Sequence, residues 1–182
     1  MTGDGRLKIK NALVSVSDKS NLEELVTFLD QNNVSIFSTG GTEKFIKSLG
    51  INVKQVSEIT NFPEIMDGRV KTLNPLIYGG ILNRSGIDDH VQKEQGMINL
   101  DLMVINLYPF EETIAGNNVR EVDAIENIDI GGPSMIRASA KNFYNKAVLT
   151  HPDDYWSFID ELQNNDCSIS EETRRSLAVN AF

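Results

Sequence analysis

Cysteine, histidine and positive charge are all scarce in this sequence. The one cysteine, Cys167, cannot close a disulfide within the chain, which fits a reducing compartment and makes the cytoplasm the expected location. Two histidines, His90 and His151, with no Cys/His cluster, offer no ordinary metal site, so no metal is expected. The same scarcity, with no Gly-x-Ser-x-Gly segment, speaks against a Cys–His or Ser–His nucleophile. No apolar run approaches the roughly 20 residues that span a bilayer, and Met1 to Lys10 lacks the apolar stretch of a secretory signal. Seventeen Lys and Arg against 26 Asp and Glu leave a net charge of -9. A field of that sign opposes general nucleic-acid binding. It still allows a local pocket that gathers a few cations around a small anion.

What is present is an alternation of short apolar runs and amphipathic stretches over 182 residues. Ala12 to Val16 reads as a buried strand, and Ser20-Asn21-Leu22-Glu23 has the form of a capping box. Leu22, Leu25, Val26 and Leu29 then recur at helical spacing. A second strand, Val34 to Phe37, leads through Ser38-Thr39-Gly40-Gly41 into a helix expected from Thr42 to Leu49, with Gly50 as its stop. Ile51 to Val56 reads as a third strand, and Asn61 to Arg84, with two prolines and several glycines, as loop with short helical pieces. A polar helix is expected over about Ile87 to Gln95. Leu100 to Leu107 is continuous rather than alternating, the pattern of a central parallel strand covered on both faces. Val122 to Asn127 reads as helix and Lys146 to Thr150 as strand. Tyr155, Phe158, Ile159 and Leu162 mark another helix, with Pro152 in its first turn, and a further helix opens at Ser170. This order predicts an α/β fold, an open and mostly parallel sheet with helices on both faces, as one domain over residues 1–182.

Ligands of such sheets bind beyond the carboxyl ends of the strands. Three polar segments stand there: Ser15 to Lys19, Ser38 to Thr42, and Asn106 to Tyr108. Small side chains, hydroxyls and free N–H groups at Ser38, Thr39, Gly40, Gly41 and Thr42 can hold a phosphate before a helix N-terminus. The plain alternative is a strand-to-helix turn using glycine freedom and a threonine cap. Lys19 is either a second phosphate contact or a solvated lysine. Arg69, Lys71 and Thr72 lie in a loop opened by Gly68: they can grip a phosphate or a flat polar ring and stabilise an oxyanion, or simply form a solvated basic loop. Asp129 precedes Ile130, Gly131 and Gly132, whose N–H groups can face a developing negative oxygen. Asp129 itself can accept a proton or merely cap a helix. Lys141 could pair with Asp129 or lie on the surface, and Tyr108 is a site hydroxyl or a packed aromatic.

Taken in order, Ser15-Val16-Ser17-Asp18-Lys19, Gly40-Gly41-Thr42, Gly68-Arg69-Val70-Lys71-Thr72-Leu73, Asn106-Leu107-Tyr108-Pro109-Phe110, Asp129-Ile130-Gly131-Gly132 and Ala140-Lys141-Asn142 resemble the IMP cyclohydrolase domain of bifunctional AICAR transformylase/IMP cyclohydrolase proteins. The resemblance runs from about Lys10 to the last residue. It implies a three-layer, methylglyoxal-synthase-like domain and a hydrolase-class reaction of purine biosynthesis run toward ring closure, FAICAR to IMP with loss of water, without cofactor. It implies catalytic roles for Lys71, Tyr108, Asp129 and Lys141, with Asp129 and Lys141 acting on the carboxamide and Lys71 and Tyr108 on the formyl oxygen. It implies nucleotide contacts from Ser17, Lys19, Ser38, Thr39, Gly40, Gly41, Thr42, Arg69, Thr72, Asn106, Ile130, Gly131 and Gly132. A transformylase domain, absent from this chain, normally shares the polypeptide, and a homodimer is possible.

Two positions depart from the family pattern. Asn74 and Tyr78 stand where relatives carry histidine, and neither can titrate near neutral pH as histidine does. Two other readings share the fold. A methylglyoxal synthase-like lyase would be expected to use Asp and His on a triose phosphate. A nucleotide-sensing module would need the phosphate turn without the Lys71, Tyr108, Asp129 and Lys141 set.

Overall fold

A computed structural model of the chain describes residues 5–108 and 120–182. Pro109 and Phe110 therefore lie outside the described residues. Five parallel strands make the main sheet: β2 (Asn11–Ser15), β3 (Ser35–Ser38), β4 (Val53–Gln55), β5 (Leu102–Ile105) and β6 (Ala147–Leu149), in the order β4-β3-β2-β5-β6. A separate antiparallel ribbon pairs β1 (Leu7–Lys8) with β7 (Ser168–Ile169), a pairing too short to leave a mark in the sequence pattern.

Successive strand residues point to opposite faces, and here both faces are covered. Ala12, Val14, Ile36, Leu102, Val104 and Leu149 enter one core with α1 (Leu22–Gln31), α2 (Gly40–Ser48) and α8 (Tyr155–Asn164). Leu13, Phe37, Met103, Ile105 and Val148 enter the other with α3 (Val56–Thr60), α4 (Pro75–Leu82) and α7 (Gly131–Lys141). The fold is thus a three-layer α/β domain. The remaining α-helices among the described residues are α5 (Asp89–Glu94), α6 (Glu121–Glu126) and α9 (Glu171–Asn180).

Several local expectations are corrected. The Ser20–Glu23 capping box does not form: Asn21, left-handed at φ 57, is the N-cap of α1 and makes no side-chain cap bond. Ser20 looks back instead, and its hydroxyl and N–H both donate to Asp18 Oδ1, at 2.7 and 2.9 Å. Helix α2 begins two residues before Thr42, because Gly40 at φ +58 turns the chain immediately after Thr39. The third strand is shorter than Ile51 to Val56, since Gln55 and Glu58 form a capping box that starts α3 at Val56. Pro152 opens a separate 3-10 turn, Pro152–Asp154, before α8.

The Asn61–Arg84 stretch holds a full two-turn helix, α4. Asn74 caps it by accepting the Leu76 N–H at 2.9 Å, and Pro75 sits at its first position. Gly79 and Gly80 read as loop punctuation but are packing glycines: a Cβ on Gly80 would collide with the Ile98 carbonyl. Close approach to the segment before β5 outweighs the helix-propensity cost of glycine, about 1 kcal/mol each.

Two buried cations pin the fold away from the carboxyl edge. At the amino ends of β5 and β6, Lys146 (1% exposed) donates to Asn83 Oδ1 at 2.7 Å and Asn99 Oδ1 at 2.6 Å. Asn99 in turn donates to Asp101, which accepts the Lys10 and Asn11 N–H groups at 2.9 Å each. Burial holds Lys146 down to about 8, with the Asp101 charge pulling the other way; burial pushes Asp101 itself up. Arg174, fully buried in α9, spreads its guanidinium over the carbonyls of Gly5, Phe143, Tyr144 and Ile169 at 2.7 to 3.1 Å.

Candidate functional site

Strand order reverses between β2 and β5, so the crevice past their carboxyl ends is where this topology places a ligand. Asn106 follows β5 directly and bridges that crevice. Its Oδ1 accepts the Ser17 and Asp18 N–H groups at 2.7 and 2.9 Å, and its Nδ2 donates to Asp18 O at 2.8 Å. One carboxamide thus fixes the backbone of the loop after β2. Lys19 folds onto the same loop, donating to Ser17 O at 3.2 Å. The Asp18 carboxyl is held below the usual carboxylate range by the Ser20 hydroxyl first and the Ser20 N–H second.

The Ser38–Thr42 turn divides into two kinds of residue. The Ser38 hydroxyl is fully buried and donates to Val14 O at 2.7 Å. Thr42 Oγ1 donates to Val16 O at 2.9 Å and accepts the Val16 N–H at 3.1 Å. Both hydroxyls are turned inward and lock β3 and α2 to the end of β2. Gly40 and Gly41 form the outer part, while Thr39 is itself buried and turns its hydroxyl to Glu64. Gly40 and Gly41 are exposed, with open space where a Cβ would stand, so a ligand can approach their backbone closely.

The Gly68–Leu73 loop packs against the start of α7. Thr72 is buried, and its hydroxyl oxygen lies 2.7 Å from where a Cβ on Gly131 would be. Lys71 shares a hollow of about 240 Å³ with Thr39, Glu43, Phe62 and Glu64. The half-buried Asp129 bends back so that its Oδ1 accepts the Gly132 N–H at 2.9 Å, and a Cβ on Gly132 would strike both Asp129 and the Leu107 side chain. Asp129, one residue before the Ile130 N-cap, thus holds an N–H in the first turn of α7 and lies near Leu107, half-buried rather than solvated. Tyr108 and Ile130 are exposed, at 55% and 60%.

A network of adjacent contacts runs along the carboxyl edge of the sheet. The Thr39 turn and Lys71 share one hollow, and Thr72 lies against Gly131. Asp129 and Leu107 meet at Gly132, and Asn106 holds Ser17. Two expected residues behave differently. Arg69 is engaged by Glu126 of α6 through both carboxylate oxygens, with Nε to Oε1 at 2.9 Å, which holds the Glu126 carboxyl below its usual range. Lys141 is exposed at the far end of α7 from Asp129. Eleven helical residues rise about 16 Å, so the expected Asp129–Lys141 pair does not form within a chain. Lys141 stays a candidate only for a role that needs no contact with Asp129 of the same chain.

The two departures from histidine have structural posts. Asn74 is the cap of α4, and the Tyr78 hydroxyl lies 2.5 Å from Ser134 Oγ on α7. A second, larger hollow of about 800 Å³ borders β2, β5 and β6; Ser17 and Asn106, expected from the sequence, line it together with Thr150, His151 and Asn180, which sequence reasoning missed. Thr150 and His151 follow β6 directly, so the strand-end rule could have found them. Beside Asn106 and Asp18 the Tyr155 hydroxyl is buried with no hydrogen-bond partner among the described residues, and burial pushes its acidity well below that of an ordinary phenol. The Lys71 hollow and the larger one lie on opposite sides of the β2 end. The small hollow carries the cation and the hydroxyl that an anion needs, and the large one has the volume of a small-molecule site.

Comparison with known proteins bears on this edge directly. A family model described as MGS-like domain matches residues 21–134, and one described as AICARFT/IMPCHase bienzyme matches residues 139–182. The chain is 50% identical over 176 residues to the bifunctional purine biosynthesis protein PurH of Xanthomonas euvesicatoria pv. vesicatoria, covering 97% of this chain and 33% of that protein. It is 48% identical to the protein of the same description from Xylella fastidiosa, over the same shares. The chain thus spans about a third of the length of the curated relatives it matches. A solved structure described as the crystal structure of ForH superposes with a TM-score of 0.86 at 32% identity, covering 95% of this chain and 89% of that one.

Proposed function

We infer the reaction from one premise: the chain belongs to the MGS-like domain family, and its last part to the AICARFT/IMPCHase bienzyme. It is an IMP cyclohydrolase that closes the purine ring of FAICAR to give IMP and water. The observation that carries this reading is the placement of an open glycine turn, Lys71 and Asp129, which accepts the Gly132 N–H, along one sheet edge. A nucleotide phosphate would lie at the turn formed by Thr39, Gly40 and Gly41, and the base would lie toward Asp129 and Tyr108.

Ring closure needs no redox step. The carboxamide nitrogen attacks the formyl carbon, a C–N bond forms, and the formyl oxygen takes up charge. That oxygen then leaves as water with one proton from the carboxamide nitrogen and one from the formamide nitrogen. Holding two groups of one ring in contact removes most of the entropic barrier. Asp129 takes the carboxamide proton, Lys71 stabilises and protonates the formyl oxygen with Tyr108, and the N–H groups at the start of α7 face the same oxygen. Asn106, Ser17, Lys19, Arg69 and Thr72 hold the nucleotide or the loops around it. In the whole protein a transformylase part would share the polypeptide, in the cytoplasm and as a homodimer.

The test is direct. The chain is incubated with FAICAR and, separately, with dihydroxyacetone phosphate, and products are followed. IMP formation, reduced at least 100-fold in Lys71→Ala and Asp129→Ala, is the expected result. Variants that close the ring at the parent rate refute the assigned roles. Methylglyoxal production, or tight nucleotide binding with no turnover, replaces the reading with a lyase or a sensing module.

A further inference from the structure

Two of the groups suited to hold a phosphate are already occupied by carboxylates of the chain itself. Thr39 Oγ1 donates to Glu64 Oε2 at 3.2 Å. The other oxygen of that carboxylate lies 2.7 Å from where a Cβ on Gly68 would begin. Glu64 is therefore seated between the N-cap of α2 and the glycine that opens the Arg69–Thr72 loop, in the hollow that Lys71 lines. The absence of a side chain on Gly68 is what makes room for it. The second case is Arg69, whose guanidinium is forked onto Glu126. Thr39 and Arg69 come from separate elements, the α2 turn and the loop after Gly68, and each donates to a carboxylate of the chain where an oxyanion ligand could take its place.

We propose that Glu64 and Glu126 are specificity-determining residues of this site, internal carboxylates that hold its anion-binding groups until a phosphate dianion displaces them. This rests on the nucleotide reading above. Neither carboxylate is trapped: Glu64 is exposed and the Glu126 side chain is 52% exposed, so each can swing into water. A phosphomonoester carries a charge of about -1.5 to -2 at neutral pH and three acceptor oxygens, so it outcompetes a carboxylate for the same donors. A monoanionic metabolite brings no more charge than the group it must expel, and a ligand without an anion never engages these donors. Discrimination thus comes from an internal competitor as well as from new contacts.

The experiment is calorimetric titration of the full chain with IMP and with inosine, for the parent, Glu64→Gln, Glu126→Gln and the double variant. Glutamine keeps the shape and removes the charge. Each single substitution is expected to tighten IMP by about two- to fivefold, the scale of one exposed ion pair or charged hydrogen bond, and the double by more. Inosine affinity, which involves no phosphate, is expected to stay within twofold. IMP affinity that is unchanged or weaker in both single variants overturns the proposal, and an unchanged value in one removes that residue from it. A parent chain that binds no IMP overturns the nucleotide reading instead, which separates the two failures.

Discussion

Replacing Lys146 by methionine isolates the energetics of the buried ammonium, and pH is the variable that reads it. In the folded chain burial lowers this lysine to about 8, whereas an ordinary lysine holds its proton to about 10.5. Between those values the unfolded chain binds a proton that the folded chain has lost, so stability contributed by Lys146 rises with pH across the window. At 1.36 kcal/mol per pH unit the gap corresponds to about 3 kcal/mol. Below pH 8 two effects of Lys146→Met oppose each other. Asn83 Oδ1 and Asn99 Oδ1 lose their donor, a cost of about 1–3 kcal/mol for groups left unpaired, while the penalty of burying a charge disappears. The variant should therefore lie within about 2 kcal/mol of the parent at pH 7.5 and fall behind it by up to ~3 kcal/mol more at pH 10.5. Urea unfolding of both proteins from pH 7 to 10.5 measures this, and the difference between them cancels the tyrosines and surface lysines that titrate in the same range. A difference that stays constant across the window, or narrows, refutes the reasoning.

Asn106→Ala removes three hydrogen bonds that hold Ser17 and Asp18, but water can reach that loop, so we expect a loss of about 1–2 kcal/mol, a drop in melting temperature of roughly 2–8 °C, and weaker IMP binding. An unchanged melting temperature with unchanged IMP affinity would show that the carboxamide does not organise the crevice. Tyr155→Phe deletes a buried hydroxyl with no partner among the described residues, so thermal unfolding should show no loss and a gain of up to about 1 kcal/mol. A loss above about 1 kcal/mol would mean that the hydroxyl does bond to the neighbouring Asn106.

The layout of strands was legible because each buried strand announces itself locally. Leu102 to Ile105 is apolar without alternation, and it lies inside the sheet, between β2 and β6 rather than at its centre, with both faces covered. Helix α4 was not legible, since Gly79 and Gly80 argue against a helix until the Met97 side chain and the Ile98 carbonyl that press on their bare backbone are in view. The site was legible as a set of segments, through the rule that ligands gather at strand ends. What a sequence cannot tell is which way a hydroxyl turns. Ser38 and Thr42 look like Thr39 in the chain, yet their hydroxyls bond to β2 and the segment after it, not to a ligand. Nor does sequence order give distance: Asp129 and Lys141 bracket one motif and end up at opposite ends of a helix. Glu64 and Glu126 read as ordinary surface acids, and only their partners mark them out.

The seam around Arg174 has a consequence for how the molecule is made. Its guanidinium joins carbonyls from three separate stretches of the chain, and one of them, Gly5, is 169 residues away. Loops of that length close late, after local helices and neighbouring strands have formed. During synthesis every strand of the main sheet leaves the ribosome before residue 174 does, so the sheet must stand for a time with the Gly5, Phe143, Tyr144 and Ile169 carbonyls turned to water. Helix α9 then works as a keystone, set after the sheet it closes and resting on parts of the chain that were finished at very different times.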